Sequence, residues 1–188
     1  ADFKGLKMRT AGAWAEIAGS MGASTVILPG AEVYPALERG VIDATEWSSP
    51  SVNFPSGFHK IAKYIIMPGV HQPGAVAECA MNVDAWNRIS AEDRELIKLA
   101  GKVNTMRTWV EHAYADLEAL DKMRASGNEF VNLSPEFVAA AAKASAKWSD
   151  AQAAKNSWFK RALDHRRAFQ ASMEKNWGYF RFQMGTAR

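Results

Sequence analysis

Apolar and polar positions follow two different rhythms along this chain, and the change falls near residue 90. Before it, short apolar runs are punctuated by Gly and Pro. Residues 6–10 (Leu-Lys-Met-Arg-Thr) alternate with a period of two, which predicts a strand. Residues 13–21 carry a short helical pattern closed by Gly22, and residues 25–28 read as a buried strand stopped by Pro29-Gly30. Residues 32–39 predict a second short helix, with Val33, Ala36 and Leu37 on one face and Gly40 as its C-terminal cap. Residues 41–44 predict another strand. Residues 61–67 and 75–82 predict two more, separated by a Pro/Gly-bounded turn. Strand, helix, strand, helix, strand at this spacing predicts parallel βα units.

After residue 90 the rhythm is helical. Ser90-Ala91-Glu92-Asp93 predicts an N-cap, a capping box with Asp in the usual Glu place. Leu96, Leu99, Val103, Met106, Val110, Ala113, Leu117, Leu120 and Met123 then recur at steps of three and four, one apolar stripe on one long helix. Gly127 ends it, and residues 130–131 predict a short strand. Ser134-Pro135 starts a second helix, with Pro at the first helical position. The sequence shows no break in it before Gly178, and Trp158, Ala162, His165, Phe169, Met173, Trp177 and Phe180 form a seam. Unbroken from 135 to 177 it would run roughly 60 Å, at about 1.5 Å per residue. That length predicts a kink, a span across two lobes, or packing on a partner chain. The division expected is an α/β segment over residues 1–90 and long helices over 91–188.

Composition changes this picture little. With 23 Lys and Arg against 20 Asp and Glu, the net charge is +3, and the signs are interspersed. That argues against a nucleic-acid protein. Cys79 is the single cysteine, so no internal disulfide can form. It falls in an expected strand and reads as a buried, inert thiol. No apolar run is long enough to cross a bilayer. The opening residues, Ala-Asp-Phe-Lys-Gly-Leu-Lys, read like the middle of a protein, so the chain is expected to be a fragment and its lack of a signal peptide is uninformative.

Three places could carry chemistry. Arg9 ends a predicted strand, where α/β folds face their ligand crevice, and an Arg there can clamp a carboxylate through two parallel hydrogen bonds. The plainer reading is a solvated surface Arg. Glu46 and Trp47 follow a short strand and could supply an anionic ligand for a hard cation such as Na⁺ or Ca²⁺, beside an aromatic wall. The plainer reading is an ion-paired Glu and a core Trp. His71-Gln72-Pro73 lies in a turn, and Gln72 could hydrogen-bond a ligand or offer its carbonyl to a cation. An ordinary turn residue reads as well. His59, His112 and His165 have no Cys or Asp at ligand spacing, which excludes a zinc site. No phosphate loop, Ser-centred elbow or metalloprotease helix is present.

Taken together these segments resemble one family. Residues 2–10 (Asp-Phe-Lys-Gly-Leu-Lys-Met-Arg-Thr) are similar to the start of the second lobe in solute receptors of TRAP transporters, the DctP type. The likeness continues through Gly22-Ala23, residues 28–40 (Leu-Pro-Gly-Ala-Glu-Val-Tyr-Pro-Ala-Leu-Glu-Arg-Gly), residues 41–47 (Val-Ile-Asp-Ala-Thr-Glu-Trp), His71-Gln72, Glu78 and the terminal helices. The Glu-Trp pair and the His-Gln turn look most like the branch that binds α-keto or 2-hydroxy acids with a metal cation.

The resemblance implies a periplasmic-binding-protein-like α/β fold whose first lobe precedes this chain. Part of the pocket, including a cation-binding Gln, would lie in that lobe. It implies that Arg9 clamps the ligand carboxylate. Glu46 would coordinate the cation by its side chain. Trp47 would do so by its backbone carbonyl while its ring walls the pocket, and Gln72 would be a further cation or ligand contact. It also implies a periplasmic location, a signal peptide in the precursor, TRAP membrane subunits as partners, no catalytic residue and no catalytic cofactor. A homodimer through the last helix would account for the over-long seam. Two other classes stay open: an enzyme acting on a small carboxylate with Glu46 or His71 as base, and a helical interaction module.

Overall fold

The computed structural model describes residues 3–72 and 77–177. The expected βα units form. Strand β1 (Lys7–Arg9) leads into helix α1 (Gly12–Ser20) and strand β2 (Ser24–Val26), then into helix α2 (Gly30–Glu38) and strand β3 (Ala44–Thr45). All three strands are parallel in the order β2-β1-β3, with Met8 opposite both Thr25 and Ala44. The first crossover therefore places β2 on one side of β1, and the second carries the chain to the other. Strand order reverses about β1.

Burial against the sheet explains the helices. α1 buries Trp14, Ile17 and Ala18, and α2 buries Val33 and Ala36 together with Ile42. Leu28, Leu37 and Phe58 pack around that second cluster. Gly40 lies at φ +68°, the left-handed turn expected of a C-terminal glycine. The chain after it departs from expectation. Val41 and Ile42 both donate their N–H groups to the Ala36 carbonyl, closing the end of α2. Groups used in that way cannot join a ladder, so β3 begins only at Ala44 although Ile42 is core.

Helices α3 (Pro50–Asn53), α4 (Phe58–Ile61) and α5 (Val83–Asn87) carry the chain between the β segments. α4 takes up the start of the strand expected over 61–67, leaving β4 (Tyr64–Ile66), which pairs in parallel with β5 (Glu129–Val131). The strand expected over 75–82 does not form where it is described. Positions 75 and 76, like Pro73, lie outside the described residues. Residues 77–82 are exposed and have no strand beside them among the described residues. Extended chain becomes strand only when a neighbour takes up its backbone groups. Cys79 is consequently an exposed free thiol, not a buried one.

The long helix α6 (Ala91–Ala125) is capped as expected. The Ser90 hydroxyl accepts the Asp93 N–H at 3.0 Å and donates to the Asp93 carboxylate at 2.7 Å. α6 is tied to α3 where Asp116 Oδ1 accepts the Ser51 N–H at 2.8 Å. The apolar stripe forms, but only its C-terminal end is covered: Met123 is buried, while Leu96, Leu99, Val103, Met106, Val110 and Leu117 are exposed.

Helix α7 (Pro135–Lys155) opens at the expected Pro, but the continuous helix to residue 177 does not exist. It breaks at Asn156 (φ −140°, ψ 114°), and α8 (Ser157–Asn176) restarts behind it. Asn156 Oδ1 accepts the Phe159 N–H at 3.0 Å. Asn is a poor helix former by propensity and caps the next helix well, so both preferences favour the restart here.

The chain divides into two compact units, residues 1–138 and 139–188. Within the second, the rest of α7 and α8 are joined by an edge-to-face Trp148–Phe159 contact at 5.8 Å and an Asp150–Arg167 ion pair at 2.8 Å. Trp158, Phe169 and Trp177 of the expected seam are exposed, and Phe180 lies outside the described residues. Among the described residues no helix is long and apolar enough to cross a membrane.

Candidate functional site

The strand order places the site. In an open parallel sheet a crevice forms beyond the carboxyl ends of the strands where their order reverses. Here that point lies between β1 and β3, and the residues there are Arg9 and Thr10 after β1 and Glu46 and Trp47 after β3. Thirty-odd residues apart in sequence, they meet because β1 and β3 pair, with Arg9 opposite Thr45.

Arg9 is only 13% exposed at its side chain. Its Nε and Nη2 both donate to the Leu28 carbonyl, at 3.3 and 3.2 Å. Its Nη1 lies 3.7 Å from Glu46 Oε1, and its guanidinium stands 5.0 Å from the Trp47 ring centroid in cation–π geometry. A guanidinium has five N–H donors, and two are taken by Leu28, so three remain for an anion. The solvated surface Arg of the plainer reading is excluded by this setting.

Glu46 is half-buried. Its Oε1 accepts the Thr10 hydroxyl at 3.0 Å, and its Oε2 faces His71 Nε2 at 3.8 Å. Trp47 is 37% exposed and packs edge-to-face on Phe58 at 5.8 Å. Gly30, at the start of α2, makes room for it: a Cβ there would come within 2.8 Å of the indole Cη2. The Pro29-Gly30 stop in the sequence is therefore also the seat of the Trp47 ring.

The structure brings Arg9, Glu46 and Trp47 together and leaves Gln72 apart. Gln72 is exposed and makes no hydrogen bond to the other three among the described residues. Its neighbour His71 enters instead. The imidazole stacks on Trp14 with ring centroids 4.8 Å apart and planes 6° from parallel. Sequence reasoning missed Thr10 and Trp14. Thr10 gave no signal beyond standing next to Arg9, and Trp14 only the helical pattern of residues 13–21; it is also core.

Burial pushes the His71 pKa down, and the Glu46 charge pulls it partly back. The unfolded chain takes up this proton near the ordinary value of about 6.5, and the folded protein only at lower pH. Below about 6.5 the unfolded state binds more protons, so stability falls with acid through that window and levels off once folded His71 is also charged. In chelator-treated protein, acidification from about pH 7.5 to about 5.5 is expected to lower the melting temperature more in the native sequence than in His71→Gln. Equal slopes for the two proteins would show that His71 is not the group responsible.

The donors suit a hard cation in chemistry but not in number. Glu46 Oε2 and the Trp47 backbone carbonyl are oxygen ligands of the kind Na⁺ and Ca²⁺ take, whereas Ca²⁺ takes six to eight. Among the described residues no group of three or more His, Cys, Asp or Glu could hold a metal alone. A cation here would need oxygens from its ligand and from further protein groups.

A family model described as bacterial extracellular solute-binding protein, family 7 (DctP) matches residues 1–156. A monocarboxylate 2-oxoacid-binding periplasmic protein of Nostoc is 34% identical over 169 residues, covering 90% of this chain and 46% of that protein. The chain spans about half the length of the curated relatives it matches. Among solved structures, a TRAP periplasmic solute-binding protein of Pseudoalteromonas atlantica with bound sodium and pyruvate superposes with a TM-score of 0.82 at 28% identity. The match covers 95% of this chain and 54% of that one. One from Bordetella bronchiseptica, a mixed occupancy dimer with copurified calcium and picolinate, gives 0.84 at 29%, covering 95% and 52%.

Proposed function

Because this chain belongs to the bacterial extracellular solute-binding proteins of family 7, the DctP family, we propose that it is the second-lobe portion of a periplasmic receptor for a small organic carboxylate. The ligand class is an α-keto or 2-hydroxy acid such as pyruvate or lactate, bound with Na⁺ or Ca²⁺ and passed to TRAP membrane subunits. One observation carries the reading: a half-buried Arg–Glu pair under an indole, at the point where strand order reverses. The likeness to pyruvate- and picolinate-bound relatives supports it.

Each residue has a role in this reading. Arg9 offers its three remaining N–H groups to the ligand carboxylate. Trp47 closes one wall and keeps water off that contact, which strengthens it. Glu46 and the Trp47 carbonyl would hold the cation, whose charge would be shared with the ligand anion. Gln72, exposed beside His71, would be a further contact with ligand or cation. The receptor is proposed to bind without turnover. A homodimer through α8 belongs to the same proposal, supported by the exposed Trp158, Phe169 and Trp177. A light-scattering mass of one protomer would count against it.

Calorimetric titration of full-length protein with pyruvate, in calcium, in sodium and in chelator, tests the reading. Binding is expected only with a cation present, and pyruvate should be recovered unchanged. Glu46→Gln keeps the shape and removes the charge, and it is expected to weaken cation-dependent binding at least tenfold. Full pyruvate affinity in chelator, or an unchanged Glu46→Gln, would remove the cation from the proposal.

A further inference from the structure

The geometry points to Thr10 as a positioning residue that fixes which oxygen of Glu46 faces a cation; this rests on the proposed role of Glu46 as cation ligand. Thr10 is fully buried. Its backbone is pinned where its N–H donates to the Val26 carbonyl at 3.1 Å. Its hydroxyl cannot turn to water, and a buried hydroxyl without a partner is costly, so it is held on Glu46 Oε1 at 3.0 Å. The Arg9 Nη1 stands 3.7 Å from the same oxygen.

The Thr10 hydroxyl is thus the hydrogen-bond donor on Oε1, with Arg9 beside it as an ion-pair partner only, and Oε2 is differently placed. Its neighbour is His71 Nε2 at 3.8 Å, beyond hydrogen-bond length. Among the described residues no donor bonds Oε2, which keeps its lone pairs for another partner, and the carboxylate cannot roll to exchange the two oxygens without breaking the bond to Thr10. A carboxylate ligand held from behind in this way is the usual arrangement of outer partners at a metal site, whose removal weakens metal binding roughly 10- to 100-fold. A hydroxyl that only filled the core would be replaced without loss by an isosteric methyl.

Calcium chloride is titrated into full-length protein by calorimetry, without and with saturating pyruvate. Melting of each variant in chelator serves as the measure of folding. Thr10→Val is expected to weaken calcium binding roughly 10- to 100-fold, and Thr10→Ser to stay within about threefold of the native protein because the hydroxyl is kept. Thr10→Ala takes the place of Thr10→Val if the latter does not fold. Native calcium affinity in Thr10→Val, or equal losses in Thr10→Val and Thr10→Ser, would overturn the assignment of Thr10 alone. No calcium or sodium binding by the native protein would overturn the cation role of Glu46, and the role of Thr10 with it.

Discussion

Replacing Arg9 with Gln is expected to weaken carboxylate binding by roughly 30-fold to several thousand-fold, the scale of about 2–5 kcal/mol seen when one partner of a desolvated charge pair is removed. The side chain is largely shielded from solvent and stands against the Trp47 face, so a ligand carboxylate there would have little water to replace the lost partner. Arg9→Lys keeps the charge but cannot make two parallel bonds or hold Leu28 with two donors, and should fall between native and Gln. Calorimetry with pyruvate reads both. Circular dichroism separates this from unfolding, since the Leu28 carbonyl loses its donors in Arg9→Gln as well. A dissociation constant within about threefold of native in Arg9→Gln would show that the carboxylate sits elsewhere.

The second large effect concerns Trp14, which holds the fold and the site at once. It is 4% exposed, meets Phe3 edge-to-face with centroids 6.4 Å apart, and carries the His71 ring on its face. Trp14→Ala removes a large buried ring and leaves a cavity, a change that costs about 3–5 kcal/mol. For a protein of this size the melting temperature should fall by on the order of 10 °C. Trp14→Phe keeps much of the volume and a stacking face and should lose less than half as much. A melting temperature for Trp14→Ala within about 2 °C of native would mean that its burial contributes far less than its area suggests.

What could be read in the sequence was local. The periods around Met8, Trp14 and Val33 gave the first βα units, because a strand and a short helix each write their own repeat. Arg9 was found because it ends such a strand. Its ties to Leu28, Glu46 and Trp47 were not derivable from the residues themselves, since they depend on which strands pair and in what order. Thr10 shows the limit most clearly: its sequence neighbourhood is that of any strand end, and its role comes from being sealed under Glu46. The stripe on α6 shows the same limit from the other side. Periodicity named the face correctly, yet a repeat says only that a face is apolar, not what lies on it. At Asn156 the helix breaks with neither Gly nor Pro present, because a side chain that caps the next helix ends the last one just as well.

If Arg9 clamps a carboxylate as proposed, the grip of Leu28 on it bears on how fast and how selectively that ligand is held. An Arg side chain carries about 2 kcal/mol of rotamer entropy, which it ordinarily surrenders when it grasps an anion. Here the Leu28 carbonyl and the indole face already restrict the guanidinium. On the proposed role of Arg9, an arriving acid would meet a side chain with little freedom left to lose, so more of the contact energy would remain as affinity. Rival acids should then arrive at similar rates and be told apart mainly by how quickly they leave.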